Sequence, residues 1–164
     1  MSTIALVRKD GSIGGHTCVD PEDHARFGNQ PWRLCAGRYA GRIVNGVQIV
    51  LHREIMGLPR ITGRPSGRSL EVDHINGDKL DNRRANLRIV SRAENRQNTP
   101  SLGGTSEHRG VCWDRRRRKW MAYGQLNGRL HNLGRFDDEG EAAAVAADWR
   151  AEHMPFSREA LNAR

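Results

Sequence analysis

At 164 residues, with 37% apolar residues and a formal net charge of +8 at neutral pH, the chain has room for one medium domain or two small ones and for a modest core. The basic balance, with a sequence pI near 10.4, points to a polyanionic partner, with nucleic acid first. No apolar run approaches the ~18 residues of a transmembrane helix, no basic amphipathic helix or lipidation signal marks a membrane surface, and MSTIALVRKDG lacks a signal-peptide core, so the expectation is a cytoplasmic protein with no membrane partner.

In chain order, residues 1–60 alternate short strand-like runs with turns. PEDHARF, opening at Pro21, predicts a short helix, and Asn45-Gly46 between apolar runs predicts a two-residue hairpin turn. The stretch from Ile49 to Leu58 predicts a further short helix. Within it, His52-Arg53 reads as helix cover, with a DNA contact as the alternative. PRITGRPSGR (59–68) is a basic loop. SLEVDHI and LRIV are short strands around the turn-forming NGDKLDNRRAN. Ser91, with Glu94 three residues later, is a capping box that opens a helix. TPSLGGTSE is a linker by composition.

Beyond it, RGVCWD, KWMAYGQL and LHNLGRF are strand candidates, separated by turns at Arg115–Lys119 and Asn127-Gly128. DDEGEAAAVAADWRAE is a helix capped by Asp138, with Ala142, Val145, Ala146 and Trp149 on its apolar face. Cys18, Cys35 and Cys112 lie far apart with no CxxC or Cys/His knuckle, which predicts free thiols and no structural zinc.

The chemistry concentrates in EVDHINGDKLDNRRANLRIVSRAENRQN, Glu71 to Asn98. Phosphodiester hydrolysis needs a base for the attacking water and a positive charge at the leaving oxygen. A histidine titrates near neutrality and can be that base. A hard divalent cation wants oxygen ligands, which an Asp carboxylate and an Asn amide can supply. Neighbours on a strand point to opposite faces, so Asp73 and His74 at a strand end can address metal and water from different sides.

Asp73-His74, Asn86 and Asn95 in this setting resemble the HNH nuclease motif, in the variant with Asn at the third position that is typical of phage and intron-encoded homing endonucleases. The resemblance implies a ββα-metal fold with His74 as general base, Asn86 as the loop-fixing residue, and Asp73 and Asn95 as ligands of one Mg²⁺ or Mn²⁺. Arg83, Arg84 and Arg88 of the same stretch are expected to contact DNA. VDPEDHARF, Trp32, GRYAGR and LHREIMG resemble the segment that precedes the motif in such phage enzymes.

HRGVCWDRRRRKWMAYGQLNGRLHNLGRFDDEGEAAAVAADWRA resembles the Apetala-type DNA-binding domain, a three-stranded antiparallel sheet on one helix. The resemblance implies phosphate clamping by Arg115, Arg116, Arg117, Arg118 and Lys119, and base or sugar contacts by Arg109, Trp113, Trp120 and Arg129. Core packing is the other role open to Trp120, and is the expected one for Trp149.

The expected organisation is therefore α+β: an N-terminal strand region (1–60), the nuclease core (61–99), a linker (100–106) and a DNA-binding module (107–164). The expected activity is metal-dependent cleavage of double-stranded DNA by a monomer or homodimer, one cut per monomer, in a bacterial host cell and encoded by a phage or mobile element. A non-catalytic phage DNA-binding regulator and a loosely specific defence or restriction nuclease also fit the sequence.

Overall fold

The computed structural model describes residues 1–35, 38–59, 69–100 and 103–162. Helices and antiparallel strands are mixed along the chain, an α+β arrangement, and the residues fall into two compact units, Met1–Arg92 and Ala93–Arg164.

In the first unit, β1 (Ser2–Val7) and β2 (Ile13–Val19) form a hairpin, followed by α1 (Pro21–Phe27). Proline suits a helix start because its missing N–H has no intrahelical partner there. β3 (Arg33–Cys35), β4 (Tyr39–Val44) and β5 (Val47–Val50) make an antiparallel sheet in the order β3-β4-β5. Asn45 and Gly46 both take positive φ, 50° and 75°, the pair of left-handed residues that an Asn-Gly hairpin turn requires. α2 (Leu51–Ile55) is shorter than the expected 49–58 helix, because Ile49 and Val50 are still paired to β4.

The ribbon of β6 (Leu70–His74) and β7 (Leu87–Ser91) is antiparallel, with a 3₁₀ turn at Arg84–Asn86 leading into β7. Of the expected basic loop, 60–68 lies outside the described residues. Val72 and Leu87 join Ile4, Leu6, Trp32 and Leu51 in one buried cluster, so the ribbon is docked on the N-terminal strands. Trp32 is fully buried and donates its indole N–H to the Phe27 carbonyl at 2.9 Å, while the Arg42 guanidinium covers its ring. This satisfies the polar end of an otherwise apolar anchor.

α3 (Arg92–Gln97) follows β7 directly, and the division between the units falls inside it. In the second unit β8 (Val111–Asp114), β9 (Lys119–Leu126) and β10 (Arg129–Phe136) form an antiparallel sheet in the order β10-β9-β8. Asn127-Gly128 repeats the left-handed turn, with φ of 51° and 79°. α4 (Glu139–His153) packs on this sheet through Ala142 and Ala146 against Val111 and Ala122. Its expected cap forms, Asp138 accepting from the Glu141 N–H at 2.9 Å. α5 (Arg158–Asn162) was not expected from the sequence. It is tied to α4 by the buried Arg150, which donates to Glu159 at 2.8 Å.

Trp149 is a packing residue, as expected. Its indole lies flat on Gly124 and stacks on His153, with ring centroids 4.8 Å apart. A Cβ at Gly124 would meet the ring at 2.3 Å. Overpacking of this kind costs about 1–3 kcal/mol. Gly124→Ala is therefore expected to lower the urea midpoint of the second unit, and an unchanged midpoint would show that the Trp149 ring is not seated there.

Candidate active site

β6 ends at Asp73 and His74, whose side chains leave opposite faces of the ribbon. On one face Asp73 lies directly across from Arg88 of β7 in the ladder. Opposite charges at such a position attract across about 5 Å. Here the contact is a hydrogen-bonded ion pair, with Arg88 Nε and Nη2 both donating to Asp73 Oδ2 at 3.0 and 2.7 Å. Asp73 is 1% exposed.

On the other face the His74 ring is fully buried, and its Nε2 is 3.1 Å from Asn82 Oδ1. The His52 ring meets it edge-on, with centroids 5.1 Å apart, and Tyr39 lies 5.3 Å from His52 and 6.2 Å from His74. Burial lowers the His74 pKa below its ordinary value, opposed in part by the Asn82 hydrogen bond. Burial also drives His52 down to about 3, with the neighbouring His74, Arg53 and Lys79 adding to the effect. Both rings are thus neutral at neutral pH. A neutral imidazole can accept a proton, as a general base must.

The loop between the two strands is knit by its own side chains. Asn86 Oδ1 accepts from the Asn76 N–H at 2.9 Å, and Asn86 Nδ2 donates to the Asp81 carbonyl at 2.8 Å. Asn86 therefore holds the loop, while Asn82 makes the 3.1 Å contact to the His74 ring nitrogen. Thr17 lies behind Asn82, with its Oγ1 2.6 Å from Asn82 Nδ2. Sequence alone does not single out Asn82, Thr17 or Tyr39, and leaves His52 as helix cover or a DNA contact. Asn82 sits in DNRRAN, whose composition reads as turn chemistry. Thr17 is 65 residues away, and only its place in the alternation of β2 marks it as inward-facing.

Three of the arginines expected on DNA are engaged by carboxylates. Arg83 pairs with Asp81 through Nε and Nη2 at 2.7 and 2.6 Å, and Arg84 pairs with the buried Asp23 at 2.8 and 2.7 Å. Arg88 is held by Asp73. In the second unit Arg109 precedes β8 and donates to the Gln97 and Arg96 carbonyls at the end of α3, at 2.5 and 3.3 Å. It caps a helix C-terminus, where cations are favoured, instead of standing on a strand toward a groove.

Trp113 and Trp120 are likewise reassigned. They are register partners with ring centroids 5.1 Å apart, and Trp120 packs on the core beneath α4, so both occupy the helix side of the sheet. Arg115 to Arg118 and Arg129 are exposed, and Lys119 is partly exposed and paired to Asp137 at 3.0 Å. Asn95 is on α3, within the second unit.

Among the described residues no group of three or more His, Cys, Asp or Glu side chains is placed to hold a metal. A divalent ion of the hard, oxygen-preferring kind takes one or two carboxylates and fills its shell with waters and phosphate oxygens. Asp73 has the right donor atoms, with Arg88 as the cation already there.

Residues 62–97 match a family model described as HNH endonuclease, a single short match that supports an HNH nuclease. Such a nuclease implies a DNA substrate and generally works with a divalent metal ion. No curated protein and no solved structure matches the chain.

The buried His52 has a consequence for stability. Unfolded, its ring takes up a proton below 6.5, whereas folded it does so only near 3. The unfolded chain binds more protons between those values, so stability falls as pH drops through that window, by at most about 1.4 kcal/mol per pH unit for this group. Urea midpoints at pH 7 and 4.5 are expected to differ less in His52→Phe than in the wild type. Equal differences in both proteins would mean that His52 is not held neutral by burial.

Proposed function

We propose that the chain is a metal-dependent DNA endonuclease of the HNH homing type, with the second unit acting as its DNA-binding module. The observation that carries this reading is the end of β6, where a buried, neutral His74 and the carboxylate Asp73 stand side by side within the HNH match. In this mechanism His74 takes the proton of the attacking water, and burial supports its neutrality before attack. Asn86 and the loop it fixes keep the β6–β7 connection in one conformation. A divalent ion, when bound, supplies charge stabilisation at the leaving oxygen. Asp73 would be its carboxylate ligand, and Asn95 as a second ligand rests on the motif alone. One base per chain supports one nick per monomer, with a dimer cutting both strands.

The exposed turn Arg115–Arg118, together with Arg129, favours phosphate contacts by the second unit. A small nuclease core that makes few base contacts gains affinity from a tethered second module through effective concentration. Homing, phage origin and a cytoplasmic setting rest on the sequence motifs alone.

The direct test is a supercoiled plasmid carrying candidate sites, incubated with Mg²⁺, Mn²⁺ or EDTA. His74→Ala is expected to slow nicking by about 10²–10⁴-fold while DNA binding survives. Nicking at the wild-type rate would remove His74 from the base role.

The Asp73–Arg88 pair gives a second expectation. A cation at Asp73 competes with the Arg88 guanidinium for the carboxylate, so Arg88→Gln should tighten Mn²⁺ binding measured by calorimetry without DNA, and Asp73→Asn should abolish it. Mn²⁺ affinity unchanged by both substitutions would place the metal elsewhere.

For the second unit, binding of the full chain to random duplexes should weaken with salt, with a log–log slope of about −0.9 per phosphate neutralised. Arg116→Ala with Arg118→Ala should reduce that slope. An unaltered slope would exclude the turn from phosphate contact.

A further inference from the structure

The loop that meets His74 is held from outside the HNH match. β2 zips onto it along one edge, with the Cys18 N–H donating to the Leu80 carbonyl and the Asn82 N–H donating to the Cys18 carbonyl, each at 2.8 Å. These bonds form a parallel bridge between Cys18 and Asp81. Thr17 adds a side-chain contact on the same edge, its hydroxyl 2.7 Å from the Leu80 carbonyl. Thr17, Asn82 and His74 are all less than 2% exposed, so none of their polar contacts is shared with bulk solvent.

The donors and acceptors along this line are fixed by chemistry. A carbonyl oxygen only accepts, and it has two lone pairs, enough for both the Cys18 N–H and the Thr17 O–H. The single proton of the Thr17 hydroxyl is therefore committed to Leu80. Toward Asn82, at 2.6 Å, Thr17 Oγ1 has only lone pairs left to offer. The atom of Asn82 that faces it must be the amide nitrogen. The amide orientation follows from this network. Asn82 Oδ1 must then face His74 Nε2, 3.1 Å away. An amide oxygen also only accepts, so Nε2 carries the hydrogen.

We infer that Thr17 of β2, acting through Asn82, sets the tautomer of His74, placing the ring proton on Nε2 and the basic lone pair on Nδ1. Thr17 and Asn82 are positioning residues. They do not touch substrate, but they determine which nitrogen of the base faces the reaction. The relay runs from Leu80 through the Thr17 hydroxyl and the Asn82 amide to the His74 ring, and the orientation of the amide is no longer fixed once the Thr17 hydroxyl is lost. It makes the N-terminal hairpin a working part of a site whose matched residues begin only at 62. Its bearing on catalysis rests on the reading of His74 as general base, whereas the tautomer itself does not.

The test uses the full chain, ¹⁵N-labelled at histidine. Long-range ¹H–¹⁵N correlation at neutral pH distinguishes a pyrrole-type from a pyridine-type ring nitrogen, and His74→Gln identifies the His74 signals. The wild type is expected to show Nε2 protonated and Nδ1 bare. An Nδ1–H tautomer overturns the inference whatever the variants do. Thr17→Val keeps the shape and removes the hydroxyl, so the amide is free to turn. The expected result is a mixture of tautomers, with plasmid nicking slowed by about tenfold or more at unchanged DNA affinity. Thr17→Ser should restore both the single tautomer and the rate.

A single Nε2–H tautomer in folded Thr17→Val also overturns the relay. If Thr17→Val fails to fold, Asn82→Leu serves in its place: with no acceptor beside Nε2 the wild-type tautomer should be lost, and its persistence counts against the relay. If the wild type has the expected tautomer but does not nick DNA under any metal, the nuclease reading fails while the relay stands.

Discussion

The edge of β2 is the constraint on which the first unit depends. A loop rich in turn-forming residues connects β6 to β7, and its backbone at Leu80 and Asn82 would be left without partners if β2 did not supply them. The same edge delivers Thr17 to Asn82 and so reaches the His74 ring. Burial of Val72 and Leu87 against the N-terminal strands gives the apolar half of this attachment. A two-stranded ribbon of this size is marginal alone in water. The N-terminal strands and the HNH ribbon are therefore one folded body.

Much of this was legible in the sequence where the determining residues are local. Both Asn-Gly turns appear where the flanking apolar runs placed them, because a left-handed pair of residues is needed within the turn itself. The helix opened by Pro21 and the Asp138 cap are equally local. Asp73 and His74 stand out because such a pair has no use in a core.

What the sequence concealed is decided by contacts between distant segments. Thr17 is unremarkable until β2 lies against the loop. His52 acquires its significance only from the ring beside it. Arg109 reads as a strand cation and becomes a helix cap, and Trp113 and Trp120 could have faced either side of their sheet until α4 chose one. The boundary between the units, at 92/93, also differs from the linker suggested by composition, because α3 contributes most of its residues to the second unit.

Charge is distributed unevenly in a way that composition does not reveal. Within the first unit three arginines of the β6–β7 segment are paired with carboxylates: Arg83 with Asp81, Arg84 with Asp23, and Arg88 with Asp73. These pairs order the loop and its surroundings more than they attract a polyanion. In the second unit the turn from Arg115 to Arg118 is exposed, with Asp114 as the carboxylate beneath it accepting from Arg117 and Arg135. In the proposed reading, DNA affinity comes chiefly from this turn, and the site near His74 is built for chemistry.

In the proposed reading the end of β6 is where a phosphodiester meets its base and its metal. Diffraction from the full chain in complex with a DNA duplex and Mn²⁺, recorded for the anomalous signal of manganese, tests it most directly. The expected result is a manganese peak at the Asp73 carboxylate, Arg88 displaced from it, and a phosphate on the Nδ1 side of His74. A manganese peak bound to other protein residues, with the DNA remote from His74, would contradict it.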